Sequence, residues 1–493
     1  MFDRGFPYSC KLSAHGSCVN ALAFSRLDAR YMASGGDDLQ IHLWDFHQEN
    51  LEEPCHTFIG PRSNIFCFDF SCKNRSLFAG GVDFQVYRYD ISGLGTSLTR
   101  EDTTASSIYR ERESIREISC HPFQDEIFLS ASDSGRITQY DTRVKGATVS
   151  RLAPAALAQN MIQLAAECTG VQYHPQTENL FVTSDGHGNV CLRDARMGFG
   201  TRRERCGSGV VLEYNTKLAR SDTTRMSNPE ASSITFDAEG DILGVTMLHF
   251  YPTLYTLSDP NPVAVCTGRY LPEGTPVSEG ERTYSNSCTM KHGSFGGPAS
   301  RTETYYCAGS DDFCGYLWKI PPVEELIQRR EVIPSDDWLL QDCRTIGFAE
   351  SMTSLRYVPV DLSTPSAVLK GHDSIVNSTL IHPYFPLVVT AGVERDIRLH
   401  NPTKSAPFSQ EMELSPVRAR QLSDSSTAAE ARVINALLLG GIDPVDADDS
   451  ERDTIRLFDR ILRMEGEADP FVVRSWVPDD ENDDDDDVED RCQ

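Results

Sequence analysis

The sequence predicts an all-β fold: a seven-bladed β-propeller followed by a short helical extension and an acidic tail. Two observations carry that prediction. Seven stretches repeat one phrase, in which an apolar run meets a Gly/Asp turn and a second apolar run closes on an aromatic or polar residue. A further apolar strand opens most of these units, so each reads as a small antiparallel sheet with period-two alternation.

The clearest copy is SGGDDLQIHLWDF, Ser34 to Phe46. The others run from Ala79 to Ile91, Ser130 to Arg143, Thr183 to Arg196, Ile242 to Ser258, Ala308 to Ile320 and Thr390 to Pro402. Opening strands start near Cys18, Asn64, Ile115, Gly170, Ser233 and Ile375. Repetition at this period means stacked units rather than separate domains. Blades around an axis leave only short, protected sheet edges. Pro7 to Ser13 has the pattern of an outer strand and is expected to complete the seventh blade, closing the ring without a covalent bond.

The closing positions are Trp44, Tyr89, Tyr140, Arg193, Tyr255, Trp318 and His400, spaced 45 to 82 residues apart. The excess over a minimal WD repeat falls in Val144 to Ala166, Met197 to Pro229, Gly268 to Asn286 and Pro321 to Pro365. These read as inter-strand loops, where recognition usually sits on a rigid scaffold.

Asp38, Asp83 and Asp312 each stand six residues before a closing aromatic. His15 precedes the first repeat and His372 follows Gly371 before the seventh. In the WD-repeat pattern such a His and Asp join a hydroxyl and the Trp in a buried hydrogen-bond network. Ser34 is the expected hydroxyl and Trp44 the expected Trp of repeat one, with Trp318 in repeat six. These residues are therefore read as structural, since leaving one member unsatisfied costs ~1–3 kcal/mol.

Lys and Arg total 46 against 73 Asp and Glu, a net charge of −27. That sign opposes direct nucleic-acid binding. No apolar run reaches the ~18 residues of a membrane span. There are 15 cysteines, an odd number with no CxxC pair, read as buried free thiols of an intracellular protein.

The propeller is expected over residues 1–402 and a linker over 403–426. A helical extension over 427–470 follows, with Thr427 to Glu430 as a capping box before Val433, Ile434, Leu437 and Leu438. A second helix is expected after Ser450, with Ile455, Phe458 and Leu462 on one side and Gly466 at its end. It is too short to stand alone, so it should dock. Residues 471–493 form the acidic tail, expected to be disordered and solubilising, with attraction of basic partners as the alternative.

No catalytic or cofactor signature is present: there is no HExxH, GxSxG, phosphate-binding Gly loop or metal-spaced His/Cys set. GLGTS at Gly93 lacks the final Gly and reads as a turn. His121, His174 and His382 each precede Pro at a strand end. The reading is a non-enzyme without cofactor or metal.

Several stretches together resemble the WD-repeat substrate receptors of the cullin-four RING ubiquitin ligases. They are GSCVNALAFS, ASGGDDLQIHLW, SNIFCFDF, SNSCTMK, GSDDFCGYLWKIP, LKGHDSIVN, AGVERDIRLHNP and RDTIRLFDRILRMEGE, spread from Gly16 to Gly466. The resemblance implies a partner, the propeller-shaped adaptor of the ligase, and through it the cullin, with protein substrates on another surface. It also implies nuclear and cytoplasmic localisation; Arg202, Arg203 and Arg205 read as a solvated loop, with a nuclear signal as the alternative.

That family marks adaptor binding by Trp-Asp-x-Arg at the end of two neighbouring repeats. The matching positions here are Tyr140-Asp141-Thr142-Arg143 and Arg193-Asp194-Ala195-Arg196, with both arginines kept and the Trp replaced. The resemblance thus implies Asp141, Arg143, Asp194 and Arg196 as adaptor-binding residues. Family members also carry a basic helical segment before the first repeat, whereas this sequence starts almost at the repeat. The alternative function is a stand-alone WD-repeat interaction scaffold, chromatin-associated through the acidic tail and ring.

Overall fold

The structure, a computed structural model, describes residues 2, 5–48, 51–94, 103–144, 160–200, 207–297, 303–405, 412–422, 447–465 and 469–471. Seven of its eight sheets follow the repeats in chain order. Blade 1 is typical: Val19–Phe24, Tyr31–Gly36, Ile41–Asp45 and His56–Phe58 pair in sequence as a four-stranded antiparallel meander. Both faces of the central strands are buried, as along Ile41–Asp45, so each blade must be covered by a neighbour on each side.

Seven buried clusters cover them, each shared by two adjacent blades. Blades 1 and 2 share Ala33, Ile41, Ile65 and Leu77. Blades 6 and 7 share Tyr305, Leu317, Ile381 and Val388. Blades 7 and 1 share Leu399, Val389, Val19 and Trp44, so the last blade packs on the first. The innermost strands of all seven line one central channel of about 310 Å3.

Tyr8–Leu12 pairs antiparallel with Ile397–Asn401, which ties the start of the chain into blade 7. Glu413–Leu414 then pairs with the same strand. This corrects the expected linker at 403–426, part of which is a fifth strand of that blade. Edge N–H and C=O groups of the outer strand find partners there.

In six blades the innermost strand carries a β-bulge near the same end, as between Val19 and Ala21 or Ile65 and Cys67. Facing the bulge in blades 1 and 2 stand Gly36 and Gly81. A Cβ on either would lie 1.9 Å from the carbonyl oxygen of Cys18 or Asn64. Only glycine lets the two backbones approach so closely.

The eighth sheet is a second correction. Met197 to Pro229 and Pro321 to Pro365 were expected to be loops. They supply Leu218–Arg220, Glu331–Ile333, Ile346–Phe348 and Arg356–Val358, a four-stranded sheet outside the ring. Its core is Trp338 with Ala219, Ile333 and buried Arg356, whose Nη2 donates to the Met352 carbonyl at 2.6 Å. Strands of three residues, drawn from segments over 100 residues apart, leave no period to read.

The helix Ala447–Glu465 starts four residues earlier than the sequence suggested. It docks as expected. Leu462 is buried with Cys18, Phe313, Ile375 and Val393 of blades 1, 6 and 7, and Phe458 packs beside it. Arg420 makes a forked pair with buried Asp459 at 2.6 and 2.9 Å, and Glu451 pairs with Arg395 at 3.2 Å. Phe458 also lines a chamber of about 250 Å3 adjoining the channel. The helix therefore covers one end of the ring, here the helix face. The first expected helix around Val433, the run from Asp479 and Arg202, Arg203 and Arg205 lie outside the described residues. Thirteen cysteines are described and all are free thiols; Cys67 and Cys191 are buried within strands as expected, while Cys18 and Cys314 are buried one residue before a strand begins. Among the described residues no helix is long and apolar enough to cross a membrane.

Candidate partner-binding surface

The far face, opposite the helix, carries the loops between first and second strands and the ends of the third strands. Asp141 ends the third strand of blade 3 and pairs across to Ile127; Asp194 ends that of blade 4 and pairs to Leu180. Each begins the same turn. Asp141 Oδ1 accepts the Arg143 N–H at 2.9 Å, and Asp194 Oδ1 accepts the Arg196 N–H at 2.9 Å. The guanidinium then folds back, with Nη2 donating to Oδ2 at 2.6 Å in Arg143 and 2.7 Å in Arg196. Hydrogen bonds from these guanidiniums hold both carboxyls below the usual carboxylate range.

The turn itself recurs. Asp45 accepts from His47 N–H, Asp90 from Ser92 N–H and Asn401 from Thr403 N–H. An Asx turn ends these third strands whatever follows, because the side-chain oxygen satisfies an N–H the ladder no longer reaches. The arginine is the part that varies, found in blades 3 and 4 where the other three blades have His47, Ser92 and Thr403. Side chains of Arg143 and Arg196 are 61% and 71% exposed, so they do nothing for the core. An exposed pair of this kind adds only ~0–1 kcal/mol to stability. Phe123, 52% exposed, lies in the adjoining loop of blade 3, and Gln124 crosses to Glu178 of blade 4 at 2.7 Å.

The network residues separate into three kinds. In blade 1 the expected set forms: His15 Nδ1 meets Asp38 at 2.8 Å, its Nε2 meets Ser34 Oγ at 2.8 Å, and Trp44 Nε1 donates to Ser34 at 2.9 Å. Burial is the largest influence on the Asp38 carboxyl and raises it, but the hydrogen bond and charge of His15 with the N–H groups of Gly16 and Gln40 together outweigh it and the net shift is down. Blade 7 builds the same set from other residues, with His372 on Glu394 at 3.2 Å and on Thr390 at 2.6 Å, and Thr390 on His400 at 2.9 Å. Burial holds the His400 ring well below its usual pKa, so it stays neutral.

Asp83, Asp312 and Trp318 are corrections. Asp83 accepts from Tyr87 Oη at 2.6 Å and Asp312 from Tyr316 Oη at 2.5 Å, with no histidine in either set. Among the described residues Trp318 Nε1 has no hydrogen-bond partner. The reason lies ten residues before the closing aromatic: Ser34 stands there in blade 1, but Ala79 and Ala308 in blades 2 and 6. Without that hydroxyl the network has no hub, and a tyrosine takes the aspartate instead. Sequence reasoning also missed Glu111, which accepts from Ser130 at 2.8 Å and Tyr140 at 2.7 Å. Its position four residues before the first strand matches those of His15 and His372, which was the available signal.

Among the described residues one group, His15, Asp38 and His42, has ligand atoms close enough together to hold a cation. Both His15 nitrogens are already engaged and His42 Nδ1 faces Thr57 at 2.9 Å, so a cation would have to break the blade network.

The channel holds a half-buried acid, its side chain 22% exposed. Burial, and then the nearby Asp69 charge, push the Glu117 carboxyl up to about 8, and burial takes His292, 3.9 Å away, down to about 4. Both are therefore mostly neutral at pH 7. A carboxyl that keeps its proton only when folded favours folding below pH 4.5, and that advantage is lost as pH rises to 8. Glu117→Gln should thus match wild type in melting temperature near pH 4 and exceed it at pH 9. A melting profile parallel to wild type across that range would refute the assignment.

Three stretches, residues 7–45, 52–90 and 363–401, match the model of the WD domain, G-beta repeat family. The chain carries WD40 repeats. The first match begins in the outer strand of blade 7 and runs through the third strand of blade 1, so a WD40 repeat staples two blades together. The chain is 26% identical over 404 residues to DDB1- and CUL4-associated factor 5 of Mus musculus, covering 80% of this chain and 34% of that protein. The Homo sapiens protein of that name is 25% identical over 404 residues, with the same shares. WD and tetratricopeptide repeats protein 1 of Homo sapiens is 30% identical over 200 residues, 40% of this WD40 chain and 27% of that protein. The chain thus spans 34% of the length of the first two relatives.

Proposed function

We propose that the chain is the substrate-recognition subunit of a cullin-four RING ubiquitin ligase. The far face docks on the adaptor through Arg143 and Arg196, and the helix face with its long insertions holds the target. Asp141 and Asp194 aim the two guanidiniums. Catalysis comes from recruited partners, which gain by proximity to the held target.

The observation that carries this reading is the pair of exposed arginines on identical turns of neighbouring blades. Nothing in stability accounts for them. A forked donor offered from a blade edge suits a partner's carboxylates or carbonyls. The similarity to DDB1- and CUL4-associated factor 5 over 80% of the chain supports the same partner.

The test is co-purification of DDB1 with the tagged chain. Arg143→Ala with Arg196→Ala should weaken capture on the order of a thousandfold, since interface arginines are worth ~2 kcal/mol or more each. The melting temperature should barely move. Undiminished capture by the double variant would remove these residues from the interface. No DDB1 with wild type would leave the stand-alone scaffold.

A further inference from the structure

The helix face contains a cavity of about 560 Å3, the size of a small-ligand or short-peptide site. Six otherwise separate parts of the chain build it, among them Leu422 and Asp469 with Pro470. The other four are His249 to Tyr251 of blade 5, the insertion from Arg269 to Ser287, the docked helix at Leu462 and Arg463, and Ile346 of the outer sheet. Three arginines line it, Arg269, Arg282 and Arg463, although the chain as a whole carries a charge of −27. Between them lie the apolar surfaces of Tyr251, Phe250 and Leu462.

The acids near Arg269 and Arg282 leave cationic character over. Asp469 lines the cavity but pairs with Arg220 at 2.7 Å. Arg269 meets Asp361 only at 3.5 Å, with both side chains well exposed, and its guanidinium stands 5.8 Å from the Tyr251 ring. Arg282 donates to the Asp311 carbonyl and stacks 4.8 Å from Phe313, contacts that fix its plane, while burial pushes the nearby Asp312 carboxyl up towards its neutral form. Glu281 is exposed at the cavity's edge. A concave site with apolar walls and fixed guanidiniums selects an anion that also brings apolar surface.

We propose that this cavity binds a peptide segment that sets carboxylate side chains beside apolar ones. As a peptide site it stands alone; as the target site of a ligase it rests on the reading above. The probe is a fluorescein-labelled dodecapeptide of alternating Glu and Leu, with a Gln/Leu twin, followed by fluorescence anisotropy on the full chain without adaptor. Saturable binding of the Glu peptide, at least about tenfold weaker for the twin and for Arg269→Ala or Arg463→Ala, is expected. Both arginines are partly exposed, so melting temperatures should hold. Equal binding of the twin, unchanged binding by both variants, no saturation up to millimolar peptide, or full displacement by equimolar inorganic phosphate would each overturn the proposal. Because no adaptor is present, failure here is distinct from failure of the DDB1 experiment.

Discussion

Lys291→Met is expected to lower stability by about 3–5 kcal/mol, among the largest effects of any single substitution in this ring. Lys291 and Asp311 are fully buried and paired, Lys291 Nζ also donating to Thr289 Oγ1 at 3.1 Å. Asp311 in turn accepts from Ser287 N–H at 2.5 Å and Ser287 Oγ at 3.0 Å. Removing the ammonium strands a carboxylate with no cation, in a place water does not reach. Removing both partners is a different matter, because two apolar groups of similar volume can replace a buried pair at little cost. Lys291→Met with Asp311→Leu should therefore recover part of the loss. Urea unfolding of the three proteins decides it. A single variant within 1 kcal/mol of wild type would show the pair to be dispensable.

Trp44→Ala should cost about 3–5 kcal/mol. The indole is fully buried where blade 7 packs on blade 1, so the cavity would open in the closing interface of the ring. The polar part of its role can be isolated. Trp44→Phe keeps most of the apolar area but leaves Ser34 without its donor, a loss of about 1 kcal/mol beyond packing. Trp318→Phe removes an N–H that has no partner among the described residues, so it should cost less than Trp44→Phe. Equal losses in the two phenylalanine variants would mean that the Ser34 hub contributes nothing.

The blades were legible because their signals are local. A strand of six residues with a Gly/Asp turn can be read within a dozen positions, and so can the Asp-x-Arg turn at Asp141 and Asp194. The His15 set was legible for the same reason, since its spacing to Ser34 and Trp44 is fixed by two consecutive hairpins. Asp83 and Trp318 misled because their spacing was right while the hydroxyl hub was missing. The outer sheet was not legible at all. Leu218–Arg220 and Ile346–Phe348 pair across more than 120 residues, and each is too short to show alternation.

From the chain alone came the repeating hairpins, the outer strand near Tyr8 and a helix that must dock, all set by period and apolar spacing, and two matched arginines that the family resemblance singled out. Only the tertiary structure decided that the helix covers one end of the ring while Arg143 and Arg196 leave from the other. It alone brought Arg269, Arg282 and Arg463 to one cavity and buried Lys291 against Asp311. Such meetings depend on how blades stack around a closed axis, and stacking is a sum of contacts between residues far apart in sequence, which no local pattern encodes.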